Sequence, residues 1–200
     1  MSKTITNEST EVREHILAVG QRIMAGKGFS AVGLTEILTS AGVPKGSFYY
    51  YFASKDAFGV ALLEKYFADY LGQLDASLQG APATLPEGLI RYFKQWRKNQ
   101  LQAECDGQCL VVKLGAEVAD LSEPMRLALK QGTAGIVAIL ADAIERAVAG
   151  GSLAMDNPCA VAESLYQLWL GASVMAKITR DPSPFDAAMQ ATKELLHLPH

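Results

Sequence analysis

The sequence predicts an all-α protein: a three-helix head built on a helix-turn-helix, then a larger helical domain. Three observations carry this. Apolar residues recur at three- and four-residue spacing, as at Leu34, Ile37, Leu38 and Ala41, the period of a helix that buries one stripe. Glycine and proline punctuate the periodic stretches, with Gly42 before Pro44, Gly150 before Gly151, and Asn157 before Pro158. No stretch reads as a strand, and half of the 200 residues are apolar, enough for a substantial core.

In chain order, the first helix is expected from about Glu11 to Lys27, with Val12, Ile16, Val19, Ile23 and Met24 inward and Gly28 ending it. Residues 1–9 lack the period and are expected to be mobile. Phe29 follows as a plug for the head. The helix begun at Leu34 stops at Gly42, whose left-handed conformation allows a sharp turn. Pro44 suits the first position of the next helix, where its missing N–H would be unpaired anyway. On a wheel begun at Pro44, Phe48, Tyr51 and Phe52 share one flank and anchor the helix. Lys45, Gly46, Tyr49 and Tyr50 lie on the opposite flank.

Ser54-Lys55-Asp56 reads as the cap and first turn of a fourth helix, which carries Phe58, Leu62, Leu63, Tyr66, Phe67 and Leu71 toward Gln79. The head therefore spans residues 1–53 and the second domain 54–200. Residues 80–86, rich in Gly, Ala and Pro, form the clearest linker. Helices are expected over 87–104, 108–119, 122–149, 158–179 and from Asp181 to His197, with Asp106-Gly107 as a break. The helix over 158–179 is apolar almost all round, so its own domain is not expected to be its only partner.

The outward set on the second helix of the corner is a cation, a glycine that permits close approach, and two phenols able to meet phosphate, sugar or thymine methyl. Double-stranded DNA is the partner this chemistry suits; spacing alone also fits a helical scaffold that never touches DNA. The formal net charge of −3 argues against unselective coating of nucleic acid. Residues 1–60 hold six Lys/Arg against five Asp/Glu, net +1, and the other 140 hold twelve against sixteen, net −4. Positive charge is local, and a dimer would be needed to double the footprint. No uninterrupted apolar run of membrane length occurs, because Asp142 and Glu145 interrupt the longest, and the opening lacks a signal-peptide core; a cytoplasmic protein with no membrane partner is expected.

Gly28-Phe29, Ile37, Ala41-Gly42-Val43, Lys45 to Tyr49, Phe52 and Ser54-Lys55 together resemble the DNA-binding domain of TetR-type transcriptional regulators. The resemblance implies a homodimer that pairs through its last two helices and sets two recognition helices on a palindromic operator. The candidate DNA contacts are Thr35, Lys45, Gly46, Ser47, Tyr49, Tyr50 and Lys55. Two departures remove side-chain hydroxyls: Val32-Gly33 stand where such proteins often carry one at the start of the second helix, and Pro44 replaces a commoner serine.

Nothing in the second domain points to an enzyme, and no cofactor or metal is expected. His15, His197 and His200 read as solvated surface residues. Two sensing modes fit. One is a non-covalent pocket lined by some of Tyr92, Phe93, Trp96, Met125, Tyr166, Trp169 and Met175, which equally serve as core. The other centres on Cys109, near a helix start where unpaired N–H groups stabilise a thiolate, with Lys113 one turn on; a buried structural cysteine is the plainer reading. Residues 109–123, with Leu-Trp-Leu-Gly-Ala from 168 and Ala-Lys-Ile-Thr-Arg to 180, resemble the N-ethylmaleimide-responsive repressor branch of the family. That resemblance implies that Cys109 reacts with an electrophile or oxidant and DNA is released. Lys177 lies in the second motif and joins the sensor candidates. Cys105 and Cys159 stay unassigned.

Overall fold

The computed structural model describes residues 2–102 and 109–199, with side chains from Thr10 onward. Among them the chain forms nine α-helices and no strand: α1 (Ser2–Lys27), α2 (Leu34–Ala41), α3 (Lys45–Tyr51), α4 (Lys55–Ser77), α5 (Leu85–Leu101), α6 (Leu110–Leu121), α7 (Glu123–Ala149), α8 (Pro158–Thr179) and α9 (Ser183–Leu195). The expected break at Asp106-Gly107, and Cys105 with it, lie outside the described residues.

Local chemistry accounts for most helix ends. Gly42 sits at φ 65°, and the N–H groups of Gly42 and Val43 return to the carbonyls of Thr39 and Leu38. Ser54 Oγ accepts from Ala57 N–H at 3.0 Å, capping α4. Asn157 Oδ1 accepts from Ala160 N–H at 3.1 Å, and Pro158 follows as the first residue of α8. Three expectations are corrected. The polar opening continues α1 back to Ser2, because it contains neither glycine nor proline to stop a helix. Pro44, at φ −70° and ψ 153°, caps α3 from outside rather than opening it. Residues 80–86 are no slack linker. Pro82–Thr84 make one tight 3-10 turn, and α5 already starts at Leu85. Ser152 Oγ donates to the Pro82 carbonyl at 2.7 Å, and a Cβ on Gly150 would stand only 2.2 Å from that of Pro82.

By packing, the described residues fall into two compact units that cut across a division at 53/54. Residues 2–67 with 109–130 form the first; 68–102 with 131–199 form the second. The first unit is centred on Ile16, Leu17, Met24, Ile37, Phe48, Phe58, Leu62, Leu110, Leu114 and Val118, all buried. Gly20 is required there, since a Cβ would meet the Phe58 ring at 2.4 Å.

The second unit is built on aromatic stacking. Trp169 lies between Phe93 and Phe185, with ring centroids 4.8 and 5.9 Å away, each such pair adding about 0.5–1.5 kcal/mol beyond burial. The indole N–H groups are satisfied by buried hydroxyls: Trp96 Nε1 donates to Ser173 Oγ and Trp169 Nε1 to Thr192 Oγ1, both at 2.9 Å. α7 has the length and apolarity of a membrane span by composition, but Ile136, Leu140, Ala143 and Ile144 are buried in the unit, as in a core helix. α8 buries Leu165, Tyr166, Trp169 and Ala172 and leaves Val174, Met175 and Ile178 exposed, so one of its two apolar sides is uncovered.

Candidate functional site

The first unit holds two sets of candidate functional side chains. At the corner, Phe48 and Phe52 are buried against Phe58, with ring centroids 5.0–5.4 Å apart. Fixing that flank inward turns the other outward. Tyr50 is 77 % and Tyr49 49 % exposed, Lys45 and Gly46 are exposed beside them, and the Lys45 ammonium stands 5.8 Å from the Tyr49 ring centroid. Thr35 is exposed on α2, and Ser47 is half-buried. A Cβ on Gly46 would meet nothing within 4 Å, so the protein's own packing does not demand glycine there. His15, expected as a solvated residue, ties α1 to this corner through Nε2 and the Ala41 carbonyl at 3.0 Å.

Lys55 has partners within its own unit. Its ammonium donates to the Phe29 carbonyl at 2.8 Å and lies 4.4 Å from the Phe29 ring centroid. Burial holds its pKa below the usual lysine value, against the opposing charges of Glu117 and Asp56. The same loop is gripped from α6, where Glu117 accepts the N–H groups of Phe29 at 3.0 Å and Ser30 at 2.7 Å. Burial alone would raise the Glu117 pKa, but the Ser30 side chain, these two N–H groups and the Lys113 charge together hold it below the ordinary carboxylate value.

The second set is at the other end of α6. Cys109 is the residue that caps α6, is buried, and accepts a hydrogen bond at Sγ from the Tyr66 hydroxyl at 3.6 Å. Lys113 N–H closes the first turn on the Cys109 carbonyl at 3.3 Å, and the Lys113 charge acts on Glu117, four residues further on. Glu117 and Tyr66 were not among the sequence-derived candidates. The signal was thin: two consecutive loop N–H groups after Gly28 needed an acceptor, which stands 87 and 88 residues away.

The second unit separates the pocket candidates. Tyr92 and Trp96, with Tyr70, Arg91, Gln95 and Asn99, line a groove of about 350 Å³, where the hydroxyls of Tyr70 and Tyr92 are 2.8 Å apart. Phe93, Tyr166 and Trp169 are core, Met175 is 48 % exposed, and Met125 belongs to the first unit, buried beside Phe29 and Gly59. Lys177 is exposed near the end of α8, at a cleft of about 210 Å³ with Ser173, Arg180 and Asp181. Cys159 is exposed on the first turn of α8, and its thiol donates to Glu145 Oε1 at 3.5 Å. That hydrogen bond, slight desolvation and the carboxylate charge all push the Cys159 pKa up.

Comparison with known proteins gives these features a family. Residues 16–62 match the model of the bacterial regulatory proteins of the tetR family, and residues 86–192 match that of the tetracyclin repressor-like C-terminal domain. The chain is 41 % identical over 196 residues to the HTH-type transcriptional repressor NemR of Escherichia coli strain K12, covering 96 % of this chain and 98 % of that one. It is 31 % identical over 189 residues to the HTH-type transcriptional repressor DhaR of Mycobacterium sp. strain GP1, covering 94 % and 93 %. The crystal structure of reduced E. coli NemR superposes with a TM-score of 0.86 at 42 % identity, over 94 % of this chain and all of that one. On both domain matches and this kinship, the chain belongs to the TetR family of bacterial regulatory proteins, DNA-binding transcriptional regulators and not enzymes.

Proposed function

We propose that the protein is a dimeric repressor that leaves its operator when Cys109 is modified by an electrophile or oxidant. The observation that carries the reading is the placement of Cys109: a buried thiol, hydrogen-bonded by Tyr66, in the same compact unit as the α3 face that carries Lys45, Tyr49 and Tyr50. A group added to a buried thiol overpacks its site, and two conformations with different operator affinity are what release requires. The likeness to NemR supports repression, and the solved NemR structure is named as that protein's reduced form.

The uncovered side of α8 supports dimerisation. Val174, Met175 and Ile178 are exposed, and Gly171 has open space around its missing Cβ, so a second copy of α8 and α9 would cover this face. Two α3 faces one DNA turn apart then read a palindrome. The decisive experiment is operator binding by mobility shift, with and without N-ethylmaleimide, for the parent and Cys109→Ser. Parent release with retention by the serine variant is expected; equal release by both would remove Cys109 from the mechanism. The groove at Tyr70, Tyr92 and Trp96 supports a second reading, release by a small non-covalent ligand. Under that reading the serine variant still responds to its inducer.

A further inference from the structure

We propose that Glu117 couples the Cys109 end of α6 to the DNA-binding head, so that modification of the thiol reaches the head as loss of a carboxylate's hold on the loop between α1 and α2. This rests on the reading of Cys109 as the sensor.

Three observations converge on Glu117. α6 is one short helix of 12 residues with Cys109 as its cap and Glu117 eight residues on, about 12 Å along the axis at 1.5 Å per residue. Between and beyond them Leu110, Leu114 and Val118 are at most 1 % exposed, so α6 is packed along its length and moves as a rod rather than yielding locally. At the far end, Glu117 takes two adjacent backbone N–H groups while Lys55 on α4 takes the carbonyl of Phe29. The loop is thus held by opposite charges from two helices, and it sets where α2, and with it α3, stands against α1. The ties from His15 to Ala41 and from Lys65 to Glu14 bypass α6 and would survive its displacement.

The chemistry supplies the displacement. Addition of the Cys109 thiol to the C=C bond of a maleimide forms a C–S bond, consumes the π bond and moves the thiol proton to the neighbouring carbon, with no leaving group. Cys109 is buried and its sulfur is hydrogen-bonded by Tyr66, so a maleimide adduct overpacks the site and is relieved by a shift of α6 or of the thiol. A shift of about 1 Å lengthens the 2.7 and 3.0 Å bonds at Glu117 beyond hydrogen-bond reach.

The test uses the full-length protein and N-ethylmaleimide, with Cys109 adduct formation quantified by peptide mass spectrometry. Operator affinity of modified and unmodified protein is compared for the parent, Glu117→Ala and Glu117→Gln, and exchange of the Phe29 and Ser30 amides is followed in the parent. In the parent, alkylation should weaken operator binding by roughly 5- to 150-fold, the usual span of allosteric coupling, and deprotect both amides. Both variants should be alkylated as fully, yet their modified-to-unmodified ratio should fall to within about twofold. Variants that keep the parent's ratio, or a parent that releases DNA with both amides still protected, would overturn the role of Glu117 and leave Cys109 as sensor. A parent fully alkylated at Cys109 with unchanged affinity would overturn the sensor reading and this inference together.

Discussion

The two described thiols of this protein have opposite surroundings. Cys109 is buried at the start of α6 with a phenol donating to its sulfur; Cys159 is exposed on α8 with a carboxylate accepting its proton. Accessibility therefore ranks them one way and consequence the other. A group added at the exposed Cys159 has solvent to enter, whereas overpacking is the expected cost of the same group on the buried Cys109. Under the proposed function, what separates the sensor from a spectator is the mechanical cost of modification, and reaction rate is a separate quantity.

The sharpest way to break this contrast is to insert bulk genetically. Cys109→Trp should cost about 1–3 kcal/mol of stability through overpacking and lower operator affinity without any reagent. Cys159→Trp should stay within about 0.5 kcal/mol of the parent, as exposed substitutions do. Thermal melts and operator titrations decide it; equal effects at both sites would erase the distinction. A smaller effect is expected from Tyr66→Phe, which removes the hydroxyl that donates to Cys109 Sγ. A loss of up to ~1 kcal/mol is expected by chemical denaturation, with the Cys109 alkylation rate altered and that of Cys159 unchanged.

The smallest effect concerns pH. Because Glu145 holds the Cys159 thiol protonated above its usual range, the alkylation rate of Cys159 should rise with pH later than that of an ordinary thiol. Glu145→Gln removes the carboxylate, lowers that pKa and should move the rate profile to lower pH, with stability unchanged. Peptide mass spectrometry across a pH series reads it, and an unmoved profile would show that the carboxylate does not control the thiol.

The parts legible in the sequence are those whose chemistry is local. Gly42, Ser54, and Asn157 with Pro158 mark helix ends because a cap and its partner are within a few residues, and Phe48 and Phe52 follow from helical period. The Phe29 tie of Lys55 was hidden for the complementary reason. Its position at a helix start suggested a phosphate, but its partner is the Phe29 carbonyl, 26 residues earlier. Glu117 was invisible because its partners lie across α2 to α5 in sequence, and Met125 was grouped with the aromatic residues by type although packing places it in the other unit. The linker at 80–86 misled because proline signals rigidity as readily as a boundary; here the turn is clamped by Ser152 and Gly150.

Gly46 has a consequence of its own. Where Gly20 and Gly150 are glycines because a neighbour leaves no room, Gly46 faces open space, so a methyl group there meets no part of the protein. Alanine is also the better helix former. If Gly46 faces DNA as proposed, position 46 is a thickness gauge for the recognition surface. Each carbon added to it raises the backbone off whatever it approaches while the interior stays the same. A graded series from glycine to alanine to valine reads the clearance of the bound complex from a single residue, with the unbound fold as its own control.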